Sequence, residues 1–168
     1  MFAEHWFCYT VGNRFAQEEF TGDFRIMNKT LIAKATITIN AHASKIWEAL
    51  TNPELIKQYL FGAEVITDWK EGSQIIYKGI YQGKAYEDKG NVLKVEPEKL
   101  LLITHWSPLS GSPDSPENYH KVSYELTAEN GSTHLTITQD NNPTKEEQQQ
   151  NANFWKMVLD GMKKLLEG

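Results

Sequence analysis

Polar and apolar residues alternate along "TLIAKATITIN" (30–40), as in a strand with one face buried. The period then changes. In "ASKIWEALTN" (43–52) Ile46, Trp47 and Leu50 recur three and four residues apart, which predicts a helix. Asn52 before Pro53 marks a second helix start, pairing an N-cap side chain with a proline in the first turn. Its segment, "PELIKQYL", carries Leu55, Ile56, Tyr59 and Leu60 as an apolar stripe.

Strand-like runs follow: "GSQIIYKGIY" (72–81), "KAYEDKGNVLKVEP" (84–97) and "KLLLITHW" (99–106), separated by turn residues. "SPLSGSPDSPEN" (107–118) holds three prolines and predicts a loop. In "SYELTAENGSTHLTITQD" (123–140) two alternating runs flank Asn130-Gly131, a pair that tolerates the positive φ angles of a tight hairpin. Spacing this regular predicts an antiparallel meander.

Near the end, Thr144 and Glu147 have capping-box spacing. Beyond them Trp155, Leu159, Met162 and Leu166 share one helical face, widened by Phe154, Val158 and Leu165. An amphipathic helix this long must bury that face, and the sheet is the large partner on offer. The predicted order is strand, two short helices, six-strand meander and long helix. That is an α+β fold whose curved antiparallel sheet of about seven strands wraps the C-terminal helix.

Residues 1–26 show neither period. Gly22-Asp23 can be encoded GGAGAY, a ribosome-binding sequence, three codons before the ATG of Met27. Two readings stand: a translated leader with Met27 as the start, or an N-terminal arm whose Trp6, Phe7 and Tyr9 dock on the domain. The domain proper is 27–168, and at 168 residues in all the chain is one domain that can close a core. A net charge of −5 argues against nucleic acid or anionic membrane as partner. Cys8 is the only cysteine, so no internal disulfide forms and a reducing, cytoplasmic setting fits. No apolar run nears the roughly 20 residues of a membrane span.

"IWEALTNPELIKQYLFGAEVITDWKEGSQI" resembles the opening signature of the family named for the activator of the heat-shock protein 90 ATPase, within the START-like (SRPBCC) superfamily. The matching positions are Ile46, Trp47, Ala49, Leu50, Thr51, Pro53 and Glu54, then Asp68, Trp69, Lys70 and Gly72. Gly90, Val92, Val95 and Pro97 fit a second family motif, "GSTHLTITQD" a third, and Trp155 the tryptophan common in its last helix. Ser73 departs from the usual second glycine. The resemblance covers roughly residues 30–167. It implies a helix-grip fold with a cavity between sheet and C-terminal helix, and by the family's name a role in stress response.

Twelve side chains are expected at that cavity: Trp47, Tyr59, Phe61, Trp69, Tyr77, Tyr81, Tyr86, Trp106, Tyr124, Trp155, Leu159 and Met162. Ligand sites are mainly apolar with a few placed polar groups. The alternative is that these rings simply fill the core. Gly161, costly in a helix interior, marks either room for a ligand, a close backbone contact, or tolerance near the helix end. The five histidines form no metal-binding spacing, and no metal or other cofactor is expected. His105, beside Trp106 at a strand end, is expected to be solvated; the alternative is that it points a polar group into the cavity. Alternation at "YEDKG" sends Asp88 to one face and Glu87 and Lys89 to the other, so something charged faces inward or the strand bulges at Gly90. A buried carboxylate here could do acid–base work, but an exposed face or a cavity mouth is the expectation. The expected function is binding of a hydrophobic or amphipathic small molecule. The alternatives are a chaperone-interaction module of the heat-shock protein 90 activator type, or a cyclase- or hydrolase-type enzyme using the cavity, its catalytic residues unknown.

Overall fold

The computed structural model describes residues 31–168. The leader-or-arm reading of 1–26 lies outside the described residues. Strand β1 (Leu31–Ile39) turns Ala33, Ala35 and Ile39 to the core and Lys34, Thr36 and Thr38 outward. Helix α1 (Ala43–Thr51) buries Ile46, Ala49 and Leu50. Asn52 then caps α2 (Pro53–Tyr59), its side chain accepting from the Glu54 amide at 3.0 Å. A capping side chain satisfies one of the orphan amides of a first turn, which is why the chain restarts as a helix here.

The meander has six strands: β2 (Glu64–Ile66), β3 (Gln74–Tyr81), β4 (Lys84–Glu96), β5 (Leu100–His105), β6 (His120–Glu129) and β7 (Ser132–Asn142). The sheet order is β1-β7-β6-β5-β4-β3-β2, and every pairing is antiparallel. β1 and β2 are therefore opposite edges, and α1 with α2 carries the chain between them. Asn130 and Gly131 both take positive φ (50° and 83°), the mirror-image turn that matches strand twist.

β4 carries a bulge between Val92 and Lys94, where the extra residue Leu93 is 40% exposed. It does not lie at Gly90. That glycine answers a different demand: a Cβ there would collide with the Thr104 carbonyl of the neighbouring strand. Alternation is consequently unbroken from Tyr86 to Val92, and Asp88 faces inward.

Helix α3 (Lys145–Glu167) lies in the concave face and buries Phe154, Trp155, Val158, Leu159 and Met162. Thr144 caps it, accepting from the Glu147 amide at 3.1 Å. Polar bonds pin the helix along β1: Gln148 donates to the Ile32 carbonyl at 2.7 Å and Lys163 to the Thr38 carbonyl at 2.7 Å. One continuous apolar core joins sheet and helices. This is the helix-grip architecture.

Candidate functional site

Between the sheet and α3 a void of about 20 Å³ remains. Its walls are Tyr59, Trp69, Tyr77, Tyr124 and Trp155, with Leu50, Ile56, Leu60, Leu101, Ile103 and Val158 between them. A space of that size takes about one water molecule. The rings come close to closing it.

Each ring has a local reason for its place. Tyr59 ends α2 and donates its hydroxyl to the Ala49 carbonyl at 2.9 Å, locking α2 to α1. Trp69 stands in the turn "DWKEGS" with a φ of 58°. Asp68 organises that turn, accepting from the Lys70 amide at 3.0 Å and from the Ser73 hydroxyl. Those bonds hold the Asp68 carboxyl below the usual carboxylate range, the Ser73 hydroxyl contributing most. Ser73 thus has a partner that a glycine would lack. Tyr124 meets Trp155 edge-on at 5.9 Å, and the Trp155 indole donates to buried Gln139 Oε1 at 2.7 Å. Burial raises the phenols of Tyr59, Tyr77 and Tyr124, so they stay neutral.

Five of the twelve expected residues therefore line the void, and seven do not. Leu159 and Met162 are fully buried in the helix–sheet contact. Trp47 is half-buried on α1 and packs against the core. Phe61 is 47% exposed beyond α2, its ring 5.9 Å from Phe154. Tyr81 sits at the β3 end, accepting from Gln82 at 3.1 Å. The Tyr86 ring lies over Gly79, directly across the β3–β4 pair. Trp106 faces away from α3. Its neighbour His105 points inward, so alternation turns Trp106 to the other side, opposite Lys89. There it stacks on Tyr119 at 6.3 Å, lies under the Lys89 ammonium at 5.3 Å and donates to Ser112 at 3.2 Å. Gly161 also misses the void: a Cβ there would touch Tyr59 at 3.5 Å, so it marks close packing of α3 on α2.

Two expectations are corrected. Asp88 is neither on an exposed face nor at a mouth, but wholly buried. His105 is not a solvated strand end; its side chain is 15% exposed and its Nε2 lies 3.1 Å from Asp88 Oδ2. The physical cause is the same unbroken alternation, which puts Asp88 beside Tyr77, its direct cross-strand partner. Tyr77 in turn meets the His105 ring edge-on at 5.8 Å. Asp88 Oδ1 is buried with no hydrogen-bond partner among the described residues. Leaving such an acceptor unmade typically costs about 1–3 kcal/mol, and more for a charged group. Tyr86 is pushed up to about 12, by burial first and then by the Asp88 charge. The aliphatic lining from β5, Leu101 and Ile103, was legible only as strand alternation, which signals burial and not a cavity.

Among the described residues no group of three or more His, Cys, Asp or Glu is placed to hold a metal ion. No described helix is long and apolar enough to cross a membrane.

The family model described as activator of Hsp90 ATPase homolog 1-like protein matches residues 40–167. The solution structure of ChR145 from Cytophaga hutchinsonii is 51% identical, with a TM-score of 0.74 over 82% of this chain and 94% of that one. CalU16 from Micromonospora echinospora aligns at 20% identity and a TM-score of 0.61, covering 80% of this chain and 83% of that one. The Aha1 dimer from Colwellia psychrerythraea aligns at 23% identity and a TM-score of 0.65, covering 82% and 97%. The last two likenesses speak to the fold alone. No curated protein gives a significant match.

Proposed function

Since the chain belongs to the activator of Hsp90 ATPase homolog 1-like family, with its START-like helix-grip fold, we propose that it binds a hydrophobic or amphipathic small molecule between the sheet and the C-terminal helix. The observation that carries this reading is the convergence of five aromatic side chains from α2, the "DWKEGS" turn, β3, β6 and α3 on one unfilled space. Ligand sites are commonly 300–1,000 Å³. The void is far smaller, so binding requires a wall to move outward. The wall built for that runs from α2 to Trp69. It is held to the sheet by β2, which pairs with β3 over only Glu64–Ile66. Segments with few ladder bonds open at low cost.

The test is a titration with the neutral dye N-phenyl-1-naphthylamine. Saturable binding at one site per chain, with a shift in tryptophan emission and a raised melting temperature, is expected. Absence of saturable binding overturns the reading.

A second reading, contact with a heat-shock protein 90 chaperone, draws on the family's name and on Ile66 and Ile80. These are 52% and 78% exposed on the outer side of the β2–β3 edge. Exposed apolar side chains of this size suit a protein contact. Stimulation of chaperone ATPase on mixing, lost in Ile80→Asp, is its test. Either function suits a cytoplasmic protein.

A further inference from the structure

We propose that Asp88, steadied by His105, is the polar anchor of the cavity and accepts a hydrogen bond from a hydroxyl or amine on the ligand's end. The inference rests on the cavity reading above and adds to it the chemistry of the ligand. It begins with a carboxyl group that the fold places at a cost. Asp88 is wholly buried, and only Oδ2 is engaged, by His105 at 3.1 Å. Oδ1 has no partner among the described residues. Buried polar atoms in folded proteins are nearly always paired, and an exception calls for a physical explanation. An acceptor held open for a ligand's donor is one.

Position supports this. Tyr77 lines the void, and it is the residue directly across the ladder from Asp88. The same ring meets His105 edge-on at 5.8 Å. A single ring therefore separates the aromatic space from the carboxyl. The nearest lysine along β4, Lys89, is spent on the opposite face, paired with Asp114 and lying against Trp106. Asp88 does not itself line the void, so a ligand's end reaches it past the Tyr77 ring, and the anchor met there is an acceptor. It suits a neutral or cationic donor at the tip of an apolar body and disfavours a carboxylate or phosphate. Tyr77 and Tyr86, both raised by burial and by the Asp88 charge, remain neutral beside it.

The experiment compares 2-naphthol with 2-methoxynaphthalene, which keeps the apolar body and lacks the donor, and with the anion 2-naphthoate. A hydrogen bond to a buried charged acceptor is worth roughly ten- to a hundred-fold in affinity. Wild-type protein should prefer 2-naphthol over the methyl ether by about that factor. Asp88→Asn, which exchanges a carboxylate acceptor for a neutral amide, should shrink that preference by most of its factor. A second measurement needs no variant: the Asp88 side-chain carboxyl resonance should shift on titration with 2-naphthol and stay fixed with the ether. Equal affinities for the two neutral probes, tighter binding of 2-naphthoate, or an unmoved carboxyl resonance under saturating 2-naphthol overturns the anchor while leaving the cavity reading intact. Failure of all three probes to bind overturns both.

Discussion

Trp155 does two things in this core. Its ring packs against Tyr124 and Phe154, at 5.9 and 5.1 Å, and its indole nitrogen donates to Gln139. Helical spacing makes the first role legible in the sequence; the second pairs residues sixteen apart, on a strand and a helix, and no local pattern marks it. The two roles separate by substitution. Trp155→Ala should lose about 3–5 kcal/mol of stability in urea unfolding. Trp155→Phe retains much of the ring but strands buried Gln139, and should lose about 1–3 kcal/mol. An unfolding midpoint unchanged in either variant would place the indole outside the core. His120 gives a pH dependence. Burial lowers its pKa most, the His105 charge lowers it further, and Asp140, through its carbonyl and its carboxylate, partly offsets both. The folded chain therefore favours neutral His120, while the unfolded chain titrates near about 6.5. Stability from this group is complete above about 6.5. It is lost as pH falls through the lowered folded value, because the unfolded state then binds the extra proton. The melting temperature should decline below about pH 6.5, and less steeply in His120→Gln.

At the scale of elements, α3 meets α2 through Gly161, where a Cβ would stand 3.5 Å from Tyr59 Cβ and 3.6 Å from its carbonyl oxygen. Those are ordinary contact distances. Alanine therefore fits, and it removes the helix-interior penalty of glycine, about 0.5–1 kcal/mol. Gly161→Ala should raise the unfolding free energy in urea by that amount and move the midpoint upward. Gly161→Leu would drive its branch into Tyr59 and should lose about 1–3 kcal/mol. A destabilised alanine variant would show that the helices pack closer than these distances. Three of the sequence motifs resolve into one device each: Asn52-Pro53 restarts a helix, "DWKEGS" aims Trp69, and Asn130-Gly131 turns the last hairpin.

Among the described residues one apolar core joins β1 and every later strand to α1, α2 and α3. Such a core should unfold as a unit. Far-ultraviolet circular dichroism and tryptophan fluorescence should give coincident transitions, in the full chain and in a chain begun at Met27. Separated transitions would show two units, or an arm that completes the core. The order of elements, the helix faces and the Asn-Gly hairpin follow from the sequence by itself, because periodicity and turn chemistry act between near neighbours. The short strand β2 carries no such signal in three residues. Which rings surround the void was not legible either. Trp106 and Tyr124 look alike in their strands, yet one faces Lys89 and Tyr119 and the other faces Trp155. The bulge fell at Leu93 and not at Gly90, which kept Asp88 inward and brought it to His105, seventeen residues away. Local sequence sets which residues alternate; strand register and the approach of α3 decide which face is the inside, and those depend on contacts between residues far apart in the chain.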